Sequence, residues 1–575
     1  MGRNPALDAI SSTATAWPLI AILLASIWAP TASAQGTPGS RPQTQQLFAE
    51  ERWPEVIQAV ENASGRTADL DYYYGSALAK LGRLEDARRA FLAGHRLQPH
   101  DKRFAVELGG IEFLGKRYSK AADWLLIASR ISPDDAYIND FCGSIFYLQG
   151  NLDAALKYWN RVDKPRIESV RTDPVPKVNP ALLDRAFAFA PASTLHLSEW
   201  LATEDRLQGM EIFPNSHLTL SARPDQKFDV TLHAQELNGF GNSKLEALLS
   251  TFRGVFFQTL TPEYYNIDRS ATNVRSLFRW DAQKKRALIS LTGPLHGNPR
   301  WRYRVAADLR NENWVVRDSF TGPAPALASL NLRREAIGAS VASSQTARWS
   351  WSTGAELSHR DLRNVHSGST LPTSLQLQGL QLKHTAQLKY HLLRIPEKRL
   401  TVTATASTDT GRIWSQPAHA FFKPQATLAT HWYPRPQGDD LEMQQQIRIG
   451  NVYGQIPFDE LFMLGLERDN DLLMRAHMGT RDGRKGSAPL GRKYFLSNWE
   501  MDKNLYSNGL ITTKLGLFLD TGHITNGSNP LGSQQWLWDA GVQAKLSALG
   551  VKFVLSYGRD LRAGKGAFYV RAVTR

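Results

Sequence analysis

Across Leu380–Leu392 the side chains alternate for 13 residues. Leu380, Leu382, Ala386, Leu388, Tyr390 and Leu392 fall on one face, and Gln381, Lys383, Thr385, Gln387, Lys389 and His391 on the other. Successive side chains of a strand point to opposite faces, so this is one long strand with an apolar and a fully polar side. Such a strand has two homes. One is an antiparallel sandwich with the apolar face inward. The other is a membrane barrel, apolar face to hydrocarbon and polar face to a wet lumen, with spanning strands of ~9–11 residues. Leu400–Ala406 and Val551–Tyr557 repeat the pattern, and from Gly239 to Arg575 the chain reads as strand after strand, with 14 to 16 candidates. Strand length, together with Trp280, Trp301, Tyr303, Trp314, Trp349, Trp351, Trp536 and Trp538 near strand ends, favours the barrel.

The first third of the chain is of another kind. Met1–Ala34 has Arg3, an apolar run Trp17–Pro30 and the small-x-small site Ala32-Ser33-Ala34, which predicts a secretory leader over 1–34. After it no run approaches the ~18 apolar residues of a membrane helix. A single cysteine, Cys142, excludes internal disulfides and cysteine-rich metal sites, and reads as a small buried hydrophobe. Over 45–163 a helical pattern repeats. Gly75, Gly109 and Gly143 are 34 apart, as are Leu84, Tyr118 and Leu152, then Ala87, Ala121 and Ala155, then Pro99 and Pro133. This is the tetratricopeptide (TPR) period. Full repeats at Ala68–Asp101 and Lys102–Asp135 are flanked by a degenerate one near Leu47–Val60 and a last one near Ala136–Val162. Such solenoids bury a core only between neighbours and offer a concave docking surface. Residues 164–180, with Pro165, Pro174, Pro176 and Pro180, read as a linker. Residues 181–238 read as strand (Arg185–Ala190), helix (Thr194–Leu207) and two strands (Glu211–Ala222 and Lys227–Gln235).

Within the barrel region, Phe458–Gly522 stands out. Tyr494–Met501 and Leu510–Leu519 alternate and are separated by turn residues, which predicts a hairpin. Before it, Asn470–Gly491 is too polar for a strand, and long loops in compact folds are usually functional or disordered. The loop, strand, turn and strand ending in Phe518-Leu519-Asp520-Thr521-Gly522 resemble the BamA/TamA superfamily of outer-membrane barrels, which includes the two-partner-secretion pores. That resemblance implies a barrel of about 16 strands at 239–575 and a loop folded into it. A loop-tip arginine would meet the aspartate of a Phe-x-Asp-x-Gly strand. Phe518, Asp520 and Gly522 match the strand, and Met474-Arg475-Ala476-His477 keeps the arginine while replacing the usual glycine and aromatic. The implied latch is Arg475 with Asp520, and Glu500 as a second acceptor. The order within 181–238 is similar to one POTRA domain, the periplasmic module of the same superfamily.

No catalytic, cofactor or metal site is expected. His359-Arg360-Asp361-Leu362 imitates a kinase catalytic loop but sits in a strand pattern without a glycine-rich loop upstream. The 14 histidines show no ligand spacing. A net charge of +14 is met by basic residues in a wet lumen and lipid phosphates at the rim, not by nucleic acid. The resemblance implies a bacterial outer-membrane protein for protein translocation or outer-membrane protein assembly. Its TPR and POTRA-like domains would sit in the periplasm and meet an unfolded polypeptide client or a partner protein. Two other readings stand beside it: a TPR-linked porin exporting an exopolysaccharide, and a surface receptor barrel without transport.

Overall fold

The computed structural model describes residues 41–241, 243–317, 325–366, 371–436, 438–508, 511–527, 531–533, 535–548 and 551–573. The leader predicted over 1–34 lies outside them. The chain divides into two compact units between Gln149 and Gly150.

The first unit is a helical solenoid. Its helices are Arg41–Ala49, Trp53–Glu61, Ala68–Lys80, Leu84–Leu97, Lys102–Leu114, Tyr118–Ile131 and Ala136–Leu148. The 34-residue period is physical as well as textual. Thr67, Asp101 and Asp135 each cap a helix by accepting a backbone N–H, from Leu70 at 3.4 Å, Arg103 at 3.0 Å and Ile138 at 3.1 Å. Asp69 and Arg103, one period apart, pair at 2.7 Å. Within a repeat the paired helices cross at glycine. A Cβ on Gly75 would lie 2.6 Å from the Phe91 ring, and one on Gly109 would lie 2.9 Å from Leu125. Leu78, Phe91, Phe104 and Leu108 form the core between neighbouring repeats.

The second unit opens with Leu152–Trp159, the second helix of the last predicted repeat. Asn151 donates to the Pro396 carbonyl at 2.8 Å, and Lys157 and Tyr158 hold Glu397 at 2.6 and 2.9 Å. A small mixed sheet follows, with helices Pro180–Ala186 and Leu197–Gly209 beside it. Its strands lie in the order Ile167–Asp173, Phe228–Gln235, Asn215–Ala222, the first pair parallel and the second antiparallel. Two expectations are corrected here. The first strand is Ile167–Asp173, inside the supposed linker, and Arg185–Ala190 is no strand but the end of a helix and an irregular stretch. The prolines that suggested a linker bracket the strand, and strand ends tolerate proline because no ladder N–H is lost there.

The rest is a closed antiparallel barrel. Its long strands run Thr272–Trp280, Lys284–Leu295, Asn298–Arg317, Ala326–Thr346, Trp349–Arg363, Gly379–Ile395, Leu400–Trp414, His419–Trp432, Leu441–Asn451, Lys493–Ser507, Ile511–Thr525, Leu537–Ala548, Val551–Asp560 and Gly566–Val573. Short strands Thr259–Leu260 and Glu263–Ile267 pair with the first of these, and the ring closes where Gly566–Val573 meets them. The two faces are the reverse of a soluble sandwich. Leu380, Leu382, Leu388 and Leu392 are 42–51% exposed, while Gln381 between them is fully buried. The apolar face therefore points out and the polar face in. Trp280, Trp349, Trp414, Trp432 and Trp538 are exposed on the outside. Trp314, counted with them from the sequence, instead faces inward and packs edge-on against Phe458 at 5.1 Å.

Candidate functional site

Between Asn451 and Lys493 the chain turns back into the ring. Phe458, Phe462, Leu464, Leu472, Met474 and Leu490 join Trp314, Leu332, Phe421, Leu496 and Ile524 of the wall in one buried apolar cluster. The segment is less irregular than its composition predicts. Asp482 and Gly483, both at positive φ, turn a small hairpin between Thr480–Arg481 and Arg484–Lys485. Lys485 pairs with Trp314 of the wall in parallel.

Arg475 is 4% exposed and Asp520 fully buried. The Arg475 guanidinium donates from Nε to Asp520 Oδ2 at 2.8 Å and from Nη2 to Oδ1 at 2.5 Å, a two-pronged grip that lysine cannot make. Its Nη1 donates to Glu500 at 2.7 Å and to Gln543 at 3.1 Å. Asp520 also accepts from the Arg475 backbone N–H at 3.1 Å and from Asn498 at 2.8 Å. The guanidinium lies 3.8 Å over the Phe518 ring. Gly522 sits where a Cβ would be 3.0 Å from the Met474 sulfur. All five residues singled out from the sequence are thus brought together at one point of the inner wall.

The sequence did not point to the adjoining partners. Ala476 N–H and His477 Nδ1 both reach Asp539 Oδ2, at 2.7 and 2.9 Å, and His477 Nε2 stands 3.8 Å from Asp560. His477, two residues beyond the arginine, has its own carboxylate on the next strand. A Cβ on Gly558 would lie 2.6 Å from the Arg475 carbonyl, so this wall leaves room for the tip. Lys545 continues the network by bridging Glu500 and Asp502 at 2.7 and 2.6 Å.

Two more ionic groups fasten the same segment elsewhere. On the wall built by 272–317, Asp469 meets Arg279 at 3.2 Å, Arg286 at 2.6 Å and Lys485 at 3.1 Å, while Lys485 also meets Glu312 at 2.7 Å. On the wall built by strands Ala326–Thr346, Trp349–Arg363 and Gly379–Ile395, Glu460 meets Arg360 at 3.3 Å, Lys383 at 3.1 Å and Arg334 at 3.6 Å. Arg360, which the sequence offered only as part of a chance kinase-like string, is an inward anchor. Buried charges are tolerated when paired, and in each of these three groups opposite charges meet.

Against known proteins, residues 74–136 match the tetratricopeptide repeat family. The N-terminal helical region is a TPR solenoid. No curated protein sequence matches the chain. In structure it is similar to BamA from Haemophilus ducreyi lacking POTRA domains 1–3, at 10% identity and a TM-score of 0.39, over 71% of this chain and 84% of that one. It is also similar to CdiB from Escherichia coli (14%, 0.44, over 71% and 76%) and CdiB from Acinetobacter baumannii (12%, 0.41, over 76% and 80%).

Proposed function

We propose that this chain is an outer-membrane barrel that passes or assembles a polypeptide client, with its TPR solenoid and POTRA-like domain in the periplasm. The observation that carries the reading is the inside-out wall combined with the inward segment tied to it at Arg475. A leucine-lined exterior is stable only against hydrocarbon, since that much exposed apolar surface on a soluble protein would drive association. The inward segment is too well anchored to be a passive surface loop, and its latch supports a conduit under control. The small sheet adds a second support. Asn215–Ala222 and Ile167–Asp173 are both edge strands, and an extended client can add to such an edge by main-chain hydrogen bonds.

The test is photo-crosslinking in cells from Thr219 on the edge strand and Tyr137 on the solenoid, followed by protease or glycosidase treatment of the adducts. Protease-sensitive adducts that accumulate when export is blocked are expected. Carbohydrate adducts would replace this reading with an exopolysaccharide exporter, and absence of any adduct would leave the receptor barrel.

A further inference from the structure

Beside the closure of the ring lies a cavity of about 360 Å³ into which Arg253, Arg275, Arg279, Arg304, Arg468 and Arg571 converge. Three of these six have carboxylate partners: Arg253 with Glu263 at 3.1 Å, Arg275 with Glu211 at 3.4 Å, and Arg279 with Asp469 at 3.2 Å. Arg304, Arg468 and Arg571 have none among the described residues. Arg468 is nonetheless held in place, donating to the Phe257 carbonyl at 3.3 Å and lying 4.5 Å over its ring. Arg279, 5% exposed, leaves its buried Nε unpartnered. Elsewhere on the inner wall Arg286, Arg360 and Arg475 each meet a carboxylate. Arg304 and Arg468 reach solvent and Arg571 is half-buried. With Glu263 and Asp469 of the lining already engaged by Arg253 and Arg279, these three leave the cavity with an excess of positive charge that suits an anion.

The neighbouring element says which kind. Helix Lys244–Phe252 is fastened to the first short strands through Thr261, whose N–H and hydroxyl donate to the carbonyls of Thr251 and Ser250 at 3.0 and 2.8 Å. It leaves Leu248, Leu249 and Phe252 exposed, with Val255 and Phe257 beyond it. Cationic forks that match phosphate oxygens thus stand next to an uncovered apolar helix face. We infer that this cavity binds the phosphate headgroup of an anionic lipid, whose hydrocarbon covers the Lys244–Phe252 helix. The site is independent of whether the barrel carries a polypeptide.

The full chain in an uncharged detergent is titrated with three probes and followed by native mass spectrometry: phosphatidic acid, diacylglycerol with the same tails, and inorganic phosphate. Phosphatidic acid should bind saturably at one site, diacylglycerol should not, and inorganic phosphate should compete only weakly. Hydrogen bonds to charged groups contribute enough that Arg304→Gln and Arg571→Gln should each weaken binding by about tenfold. Neither arginine has a partner to strand, and Arg333→Gln on the outer face serves as the control that leaves binding unchanged. Equal retention of phosphatidic acid and diacylglycerol, or an unchanged affinity in both cavity variants, would overturn the site. Displacement by equimolar inorganic phosphate would reduce it to a free-anion pocket and overturn the lipid assignment.

Discussion

In the solenoid, Leu78, Phe91, Phe104 and Leu108 are buried between helices, and few charges, Asp71 and Glu112 among them, are buried with them. In the barrel, Leu380, Leu382 and Leu388 are exposed, and the fully buried side chains include Gln381, Asp520 and Asp539. One unit is held by apolar contact between neighbours in sequence. The other is a ladder whose interior is held by ion pairs between residues far apart. The difference teaches where each is vulnerable: the solenoid to a lost or added methylene, the barrel interior to a single stranded charge.

The sharpest way to break the contrast is at the latch. Removing one member of a buried pair leaves the other charge uncompensated, at a cost of about 3–5 kcal/mol. Arg475→Ala and Asp520→Ala should each lower the urea midpoint of the folded barrel by a comparable amount and loosen the inward segment to protease. The double variant should be no worse than either single one, because the pair acts as a unit. Strictly additive losses would mean that the two residues work separately.

The pairing of Arg475 with Asp520 was expected from a resemblance carried by two short local patterns, the loop tip and the Phe-x-Asp-x-Gly strand. The solenoid was legible for a similar reason: its period brings caps and crossings round every 34 residues. What was not legible depends on register. His477 and Asp539 are 62 residues apart, and Arg360 and Glu460 100 apart, with nothing local to join them. Only the pairing of whole strands puts Asp520 opposite Asp539 and so aligns both under one loop tip. The strand Ile167–Asp173 was missed for the opposite reason. Its local signal was strong but misleading, since flanking prolines and charges hid a short strand that is stabilised by pairing with Phe228–Gln235.

A second, smaller effect separates the barrel's two faces. Leu388→Arg, at the middle of strand Gly379–Ile395, places a charge on the outer wall and should cost about 2–4 kcal/mol. Gln387→Arg, on the same strand but facing the lumen, should stay within about 0.5 kcal/mol. Both are read from the heat-dependent mobility of the folded barrel in a urea series. Equal effects would mean that the exterior is not in contact with hydrocarbon.

The smallest effect belongs to the solenoid, at one of its few buried charges. Glu112 is 1% exposed and receives the guanidiniums of Arg88, at 3.0 Å, and Arg117. Burial pushes its carboxyl up, but the two arginines outweigh this, and Glu112 titrates below its ordinary value of 4.5. A carboxyl lowered in the folded state binds its proton less readily there than in the unfolded chain. Its stabilisation is therefore complete above about pH 4.5 and is lost as pH falls through the lower folded value. The fragment 41–149, a compact unit in itself, should lose melting temperature on acidification from pH 6 to pH 3, followed by circular dichroism. Glu112→Gln should melt lower than the native fragment at pH 6, and the gap should close toward pH 3, since both then carry an uncharged group beside the two arginines. A gap that stays constant across this range would show that Glu112 contributes through packing alone, making the solenoid as indifferent to charge as its apolar core suggests.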